Sequence, residues 1–579
     1  MSLRWSSATD QLYAVSNSSP SLDLDFASNK SLLDNISGLP LVNHQRDASS
    51  SKSAGTYVGS DGLIKTSVVN LQPYSEITVN WTAQGSTLSP DFALAPNGTN
   101  AAAQIIPSSG IVEGRIFYPS SLTGQLTASC FFKPNGYNFA TIGLFKGSNY
   151  ASIIVNLLTG EVTAVSSGAV PEAYSVTDAG NGWKRLSVTT TTVNSYVSLG
   201  AAPDASTTLN TFGLVDAATF DGTSGVLAWG AQLEEGSTVN TYVTTTNLPS
   251  AAPRFDHDPV TGESLGLLIE ESRTNYCIDS ENPAGWTVTN GASKQTFTAV
   301  TAPDGSTLTQ GFRLPDGVSR VYPTLSSTGT IVPVSSFYVR SVSGTATLNL
   351  FIQGVNVGSN ISVPPDRWLR ISGTSASNTV TGFSVRGNSS QSEDVYIWGA
   401  QLEAGSFATS YIPTSGSTVT RAADVASIAG TNFSSWYNQS EGTVFVDTQS
   451  YPHPVSGKAL VPFAFSDNSY SNRITLSGST GSSQFNFDVT AGGILQRAVL
   501  GNFLSSGLKA AGGYKSTGSA GSLDGATAVT SNSPNIPSVI SQLDIGQAQD
   551  GTNTLNGHIS RLAYYPYRLS DTILQEITS

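Results

Sequence analysis

The sequence predicts an all-β protein, a string of antiparallel β-sandwich domains, and three observations carry that prediction. Charged residues make up 12% of the 579 positions, against about 25% in an average globular protein, and no long Lys/Glu-rich helical stretch occurs. Apolar residues alternate with polar ones in short runs closed by glycine turns, the period of half-buried strands. One such run is present twice: Val226-Leu227-Ala228-Trp229-Gly230-Ala231-Gln232-Leu233-Glu234 returns 169 positions later as Val395-Tyr396-Ile397-Trp398-Gly399-Ala400-Gln401-Leu402-Glu403.

Strict alternation places Leu227/Tyr396, Trp229/Trp398, Ala231/Ala400 and Leu233/Leu402 on one face of an inner strand. Both copies turn at Gly236 or Gly405 and become extended again at Tyr242 or Tyr411. The repeat reaches further. Trp81 and Trp286 are 205 apart, Ala95-Pro96-Asn97-Gly98-Thr99 and Ala302-Pro303-Asp304-Gly305-Ser306 are 207 apart, and Trp183-Lys184-Arg185 and Trp368-Leu369-Arg370 are 185 apart. The order holds while the offset shrinks, so the first copy has two longer loops, by about 20 and 16 residues, which surfaces absorb readily. Trp183, Trp229, Trp368 and Trp398 read as packing residues, since large aromatics fill sandwich interiors.

A net charge of −13 and a pI near 4.7 argue against nucleic acid, whose phosphates require clustered Lys and Arg. The opening Met1 to Val15 has no basic and apolar secretory pattern, and no run of about 18 apolar residues follows, so a soluble protein made in a cytoplasm, without membrane insertion, is expected. Cys130 and Cys277 lie in different copies of the repeat, which argues against a bridge. Cys130 falls on the alternating face of its strand as a small apolar residue.

Residues 1 to 20, with Trp5, Leu12 and Tyr13, read as a tether. Leu22, Leu24 and Phe26 alternate with Asp23 and Asp25, a short strand whose carboxylates face solvent. A hairpin at Thr56-Tyr57-Val58 and Leu63-Ile64-Lys65-Thr66 turns through Asp61-Gly62. A second runs from Arg254-Phe255-Asp256-His257-Asp258-Pro259 through Thr261-Gly262 into Leu265 to Glu270. Four domains follow from this order: a tether and small β module over 1–70, completed by 251–276; an inserted sandwich over 71–250; its repeat over 277–420; and a terminal domain over 421–579.

The strings Ala54-Gly55-Thr56-Tyr57-Val58 with Asp61-Gly62-Leu63-Ile64-Lys65, Pro253 to Gly262, Gly266-Leu267-Leu268-Ile269-Glu270-Glu271-Ser272-Arg273-Thr274-Asn275, Trp398 to Glu403, Ser410-Tyr411-Ile412-Pro413-Thr414 and Thr420-Arg421-Ala422-Ala423-Asp424 resemble a family of tailed-bacteriophage virion proteins. The resemblance covers about two-thirds of the chain and implies a particle component, a tail fibre, tail-associated or head-decoration protein. In such proteins the two hairpins run on without interruption, whereas here an insertion splits them. The repeats, with about eight strand candidates each, fit jelly-roll sandwiches of the carbohydrate-binding-module type. The end of the chain, with Thr443-Val444-Phe445-Val446, Phe485-Asn486-Phe487-Asp488-Val489 and Leu555 to Tyr565, is similar to concanavalin-A-like (laminin-G-like) sandwiches. Ser570 is placed to cap a last helix that turns Ile573, Leu574 and Ile577 inward.

Little chemistry is evident. Gly262-Glu263-Ser264-Leu265-Gly266 has the spacing of a nucleophile elbow but sits in a hairpin rather than between strand and helix. Asp256, Asp258 and Glu263 cluster around that turn, where they could hold Ca2+ or simply cap it. No other cofactor is implied. The glycosidases on concanavalin-like folds need two close carboxylates on one sheet, and none is legible after residue 440. Sugar binding remains, with Tyr451, Tyr470 and Tyr514 as candidate platforms and Asp467, Asn468 and Asn472 as candidate hydroxyl partners. The expectation is a non-enzymatic, adhesive virion component joined to other virion proteins by its N-terminal segment. It would be a homotrimer or other symmetric homo-oligomer and would contact host surface glycan. The rivals are a glycan-degrading virion enzyme and a spacer without ligand.

Overall fold

The computed structural model describes residue 12 and residues 19–111, 113–216, 219–326, 328–376, 378–388, 391–449, 459–479, 484–502, 507–531 and 535–579. Its regular structure is almost entirely antiparallel strand, and the chain divides into two compact units. One comprises residues 47–54 and 68–252; the other comprises residues 1–46, 55–67 and 253–579.

The first unit is a sandwich of two six-stranded sheets. One runs in the order Ala173–Gly180, Trp183–Thr192, Gly124–Asn135, Gly225–Glu235, Ala102–Pro107, Ser86–Ala93. The other runs Val162–Val165, Tyr150–Asn156, Phe139–Phe145, Ser195–Ala202, Arg115–Ser120, Thr82–Gln84. Between them lie Ile105, Ile116, Cys130, Ile142, Leu144, Leu186, Leu199 and Leu233. Burial drives the Cys130 thiol well above its ordinary value, so it packs as an apolar group.

In the second unit, residues 287 to 404 form the same sandwich with five strands per sheet. Its order is Ser293–Thr301, Thr307–Leu314, Glu393–Ala404, Pro333–Ser341, Leu369–Thr374 over Thr287–Thr289, Arg320–Tyr322, Phe383–Arg386, Ala346–Ile352, Val355–Val363. The strands missing from this copy are the edge strands Val162–Val165 and Ala173–Gly180. The longer of the two expected loops is therefore folded as added sheet edge, while the shorter holds a two-stranded ribbon, Thr208–Leu209 with Val215–Asp216.

The tryptophan strand departs from strict alternation in both copies. The pairing of Gly124–Asn135 with Gly225–Glu235 slips between Ser129 and Phe131, and that of Pro333–Ser341 with Glu393–Ala404 slips between Ser336 and Tyr338. The extra residue is accommodated at Gly230 (φ 67°) and Gly399 (φ 63°), a left-handed bulge position that a Cβ disfavours. The bulge inverts the parity. Ala228, Ala231 and Leu233, with Ile397, Ala400 and Leu402, face the sandwich core, whereas Leu227, Trp229, Tyr396 and Trp398 face outward. There Trp229 packs with Trp183 and Ala102, and Trp398 with Tyr411 and Ala302.

A polar strap holds each bulge in the same way. Asn70 Nδ2 donates to the carbonyls of Ala231 (3.0 Å) and Val243 (2.7 Å) while its Oδ1 accepts from Leu233 N (3.0 Å). Asn275 repeats this with Ala400 (3.2 Å), Ile412 (2.9 Å) and Leu402 N (3.1 Å). The hydroxyls of Ser75 and Tyr242 meet at 2.7 Å, and those of Ser280 and Tyr411 at 2.6 Å. One buried asparagine thus satisfies backbone groups on the strand's other edge, in the first copy beyond the point where pairing with Ala102–Pro107 stops at Ala228.

The terminal sandwich recruits strands from far away in sequence. Its eight-stranded sheet runs Arg254–His257, Ser264–Ile269, Gly557–Tyr565, Glu441–Gln449, Gly507–Lys515, Gly518–Leu523, Val529–Ser531, with Leu22–Asp25 also paired to Gly557–Tyr565. The facing sheet of seven begins Asn43–Gln45, Val425–Ala429, Gln542–Ile545. The expected small N-terminal module is therefore not separate: its outer strands complete this sandwich. Asp23 and Asp25 are not on a wet face either. Asp23 is fully buried and accepts Arg561 Nε (2.8 Å) and Nη2 (2.9 Å). At the other end, Ser570 Oγ accepts Ile573 N, capping the helix Asp571–Ile577 as expected.

A buried ion network joins these segments. Asp424 accepts Arg254 Nη2 (2.6 Å), Glu270 N (2.9 Å) and Arg46 Nη1. Glu270 accepts Arg254 Nη1 (2.7 Å), Ser410 N (2.7 Å) and Ser410 Oγ (2.6 Å), with Arg421 Nη2 at 3.4 Å. Burial pushes the Glu270 carboxyl up, but Arg421, Arg254 and the Ser410 donors overcome it and hold the group at about 2.

Replacing Gly399 by Ala places a Cβ 2.9 Å from the Tyr338 ring at positive φ. The Gly399→Ala variant is expected to lose about 1–3 kcal/mol of stability in urea unfolding. An unchanged midpoint removes the bulge from the account.

Candidate functional site

The residues singled out in the terminal sandwich meet different fates. Tyr470 is 47% exposed in the turn after Leu460–Ser466; its hydroxyl donates to Asp550 Oδ2 (2.6 Å), and the Arg473 guanidinium lies 4.8 Å from its ring centroid. One ring face is thus already occupied. Asp467 and Asn472 build the same turn: Asp467 accepts Ser469 N (3.0 Å) and Asn472 Nδ2 (2.8 Å), and Asn472 Oδ1 accepts Gly492 N (3.1 Å). Asn468 supplies its left-handed residue (φ 69°). Tyr514 is no platform. It lies within Gly507–Lys515, is fully buried in the sandwich core, and donates to the Asn438 carbonyl (3.0 Å). Tyr451 lies outside the described residues.

Two of the three carboxylates of the calcium expectation turn to separate partners. Asp256 accepts Val58 N (2.5 Å) and meets His558 Nε2 (2.8 Å). Asp258 caps its turn through Thr261 N and Val260 N (2.8 Å each), which hold its carboxyl below the ordinary range. Glu263 is exposed. Among the described residues no group of three His, Cys, Asp or Glu side chains gathers to hold a metal.

A cavity of about 570 Å³ opens on the outer face of the eight-stranded sheet, lined by Asp25, Phe445, Asp447, Lys509, Arg561 and Ile577 among others. Register puts four of these in one charged row: Asp25 opposite Arg561, Arg561 opposite Asp447, and Asp447 opposite Lys509. Burial raises the Asp447 carboxyl to about 6, against the pull of Lys509 and a hydrogen bond from Gln449. Asp25 is committed to capping a short helix through Ser28 N (3.0 Å).

The two repeated sandwiches carry another polar and aromatic surface, on the outer face of the sheet that lacks the tryptophan strand. In the first copy, Tyr196, Phe145 and Tyr150 stand side by side on adjacent strands. Phe145 lies 5.2 Å from Tyr196 and 5.0 Å from Tyr150, and Phe117 lies 6.4 Å from Tyr196. Arg115 starts three strands away from Tyr150, yet its guanidinium lies 4.8 Å from that ring and 5.1 Å from Phe117. The two intervening strands carry glycine at Gly143 and Gly200. Arg115 Nη2 donates to Gln84 Oε1 (3.0 Å), and Nε stands 3.1 Å from Glu113. Phe117, Phe145 and Tyr196 are half-buried, so ring surface remains open.

The second copy repeats the step: Arg320-Val321-Tyr322 matches Arg115-Ile116-Phe117 at the offset of 205 that also relates Trp81 to Trp286. The middle residue faces the core in both copies, and its neighbours face out. Sequence reading passed over this pair because neither arginine sits in a recognisable motif; the shared offset was the available signal.

Because folding raises the Asp447 pKa from 3.8 to about 6, its favourable contribution is complete below pH 3.8 and is lost as pH rises through 6. The Asp447→Asn variant is therefore expected to melt higher than the parent at pH 7.5, by on the order of 2 kcal/mol, and not at pH 4. Equal melting at pH 7.5 contradicts the burial argument.

No protein-family model matches the chain, and no curated relative matches it. Similar solved structures include the carbohydrate-binding module of a Ruminococcus gnavus IT-sialidase bound to α2,3-sialyllactose, at 10% identity over 26% of this chain and 88% of that one, with a TM-score of 0.22. The tandem xylanase modules CBM22-1–CBM22-2 of Paenibacillus barcinonensis Xyn10C match at 11% identity over 62% of this chain and 100% of that one, TM-score 0.22. The Trypanosoma rangeli sialidase in complex with 2,3-difluorosialic acid matches at 10% identity over 93% and 91%, TM-score 0.22.

Proposed function

We propose that this chain is a non-enzymatic structural component of a tailed-phage particle that contacts host surface glycan through its repeated sandwiches. The observation that carries the glycan reading is the outer face of the first copy, where Phe117, Phe145, Tyr150 and Tyr196 form a chain of ring contacts and Arg115 lies against Phe117 and Tyr150. The half-exposed rings of Phe117, Phe145 and Tyr196 offer flat apolar surface to the C–H face of a sugar, while the exposed Gln84 on the same sheet supplies a partner for its hydroxyls. The particle assignment is supported by the sequence resemblance. With it go location in the virion, a symmetric homo-oligomer and attachment to other virion proteins through the N-terminal segment.

A hydrolytic reading draws on one observation, the carboxyl of Asp447 poised near pH 6 in a cavity, as a general acid is. Two nearby carboxylates are already engaged, since Asp25 caps a helix and Asp23 binds Arg561, which leaves the exposed Glu576 as the remaining carboxylate in the cavity lining.

The test uses the full chain, because residues 440–579 alone omit five strands of the terminal sandwich. On a glycan array the parent is expected to bind, and Tyr196→Ala and Phe117→Ala to bind at least about tenfold more weakly. Equal binding by folded variants contradicts the site, and a parent that binds nothing favours the spacer. Sizing of host envelope polysaccharide after incubation is expected to show no shortening; shortening that Asp447→Asn abolishes would establish the hydrolase.

A further inference from the structure

The second sandwich differs from the first in one respect that concerns charge. Arg320 and Arg386 are direct cross-strand partners on its outer face, whereas the residue opposite Arg115 in the first copy is Gly200. Like charges set opposite one another repel. Each guanidinium lies 5.1 Å from the ring centroid of Phe351, which offsets part of that repulsion. Arg115 has Glu113 beside it, but among the described residues no carboxylate stands within 4.0 Å of Arg320 or Arg386. Arg320 Nη1 donates to the Tyr322 hydroxyl (3.0 Å), and Arg386 Nε to the Gly317 carbonyl. Asp316, nearby in sequence, is occupied: the N–H groups of Val318 and Ser319 (2.9 Å each) hold its carboxyl low, with Arg386 a lesser contributor.

A second, independent feature sits on the same face. Ser384 is 1% exposed, and its Oγ has no hydrogen-bond partner. It is the cross-strand neighbour of Phe351, and because Phe383 and Val385 face the core it points toward the arginines' side. The Nε of Arg320 is likewise buried without a partner. A buried hydroxyl and a buried guanidinium N–H left unmatched beside two arginines that have no carboxylate within 4.0 Å among the described residues are costly unless a ligand completes them.

We infer that this face binds a saccharide bearing a carboxylate, a uronic or sialic acid unit, with the carboxylate between Arg320 and Arg386. This rests on the glycan-contact reading above and names its substrate class. The planar guanidinium fork matches a carboxylate through two parallel hydrogen bonds. Tyr322 offers a half-exposed ring, and Ser384 a hydroxyl for the sugar. A polyphosphate or nucleic acid would need a longer run of cations than two arginines in a chain of net charge −13.

Calorimetric titration of the full chain tests this with four probes: oligogalacturonate, its carboxyl-reduced counterpart, sialyllactose and lactose. At least one acidic probe is expected to bind about tenfold or more tightly than its neutral counterpart, with an affinity that falls as salt rises. Arg386→Gln is expected to remove that preference, and Arg320→Lys and Arg386→Lys to reduce it about tenfold, while neutral glycan binding at the first copy is unchanged. Which acidic probe responds separates uronic from sialic acid. Equal binding of acidic and neutral probes, a folded Arg386→Gln that keeps the preference, or displacement of the acidic probe by equimolar inorganic phosphate each overturns the inference while leaving glycan contact intact. A chain that binds none of the four, and nothing on the array, sinks both. If Arg386→Gln does not fold, the salt dependence of the parent and the two lysine variants still decide.

Discussion

The charge network around Asp424 and Glu270 is the interaction on which the second unit depends. Two carboxylates and the guanidiniums of Arg46, Arg254 and Arg421 are withdrawn from water together, an arrangement whose desolvation cost nearly cancels its Coulombic gain. Its value lies in what it joins. Arg46 arrives from the N-terminal strands, Arg254 and Glu270 from the hairpin at 254–269, Ser410 from the end of the repeated sandwich, and Arg421 and Asp424 from the segment leading into the terminal one. Removing any one partner strands a buried charge, typically at 3–5 kcal/mol, so these segments are bound to fold together. Those positions also supply much of the resemblance to phage proteins, in Pro253 to Gly262, Gly266 to Asn275 and Thr420 to Asp424. In this chain Arg254, Glu270, Arg421 and Asp424, within those strings, form the buried network.

The glycine bulge plays the corresponding part inside each sandwich. By inverting the side-chain parity at Gly230 and Gly399 it lets one strand serve two apolar clusters, Leu233 or Leu402 toward the core and Trp229 or Trp398 toward the outer strap. The tryptophan face of each sandwich is thereby closed by its own chain. The opposite sheet keeps its arginines and aromatics on the surface, and the chemistry proposed for this protein lies there.

The fold class and the repeat were legible because alternation and glycine turns are local signals. What escaped depends on register and on distance along the chain. Strict alternation put Trp229 and Ala231 on one face; only the slip opposite Cys130 separates them. Asp23 looked solvated because its partner, Arg561, lies 538 positions away. Tyr514 looked like a loop residue because Gly512 and Gly513 precede it, yet these glycines are in a strand, where a Cβ at Gly512 would stand 2.3 Å from the Phe487 ring. Asp467, Asn468 and Asn472 are close in sequence, but the polar groups of Asp467 and Asn472 are spent on their own turn. The arginine faces were visible only as a coincidence of offset between Arg115 and Arg320.

Hydrogen–deuterium exchange on the Asp424→Asn full chain tests the structural claim most directly. If the buried network joins the segments, amides at 43–46, 254–269 and 408–424 should lose protection together while the inserted unit at 68–252 keeps its own. Loss confined to the residues flanking Asp424, with the hairpin and the N-terminal strand still protected, would contradict it.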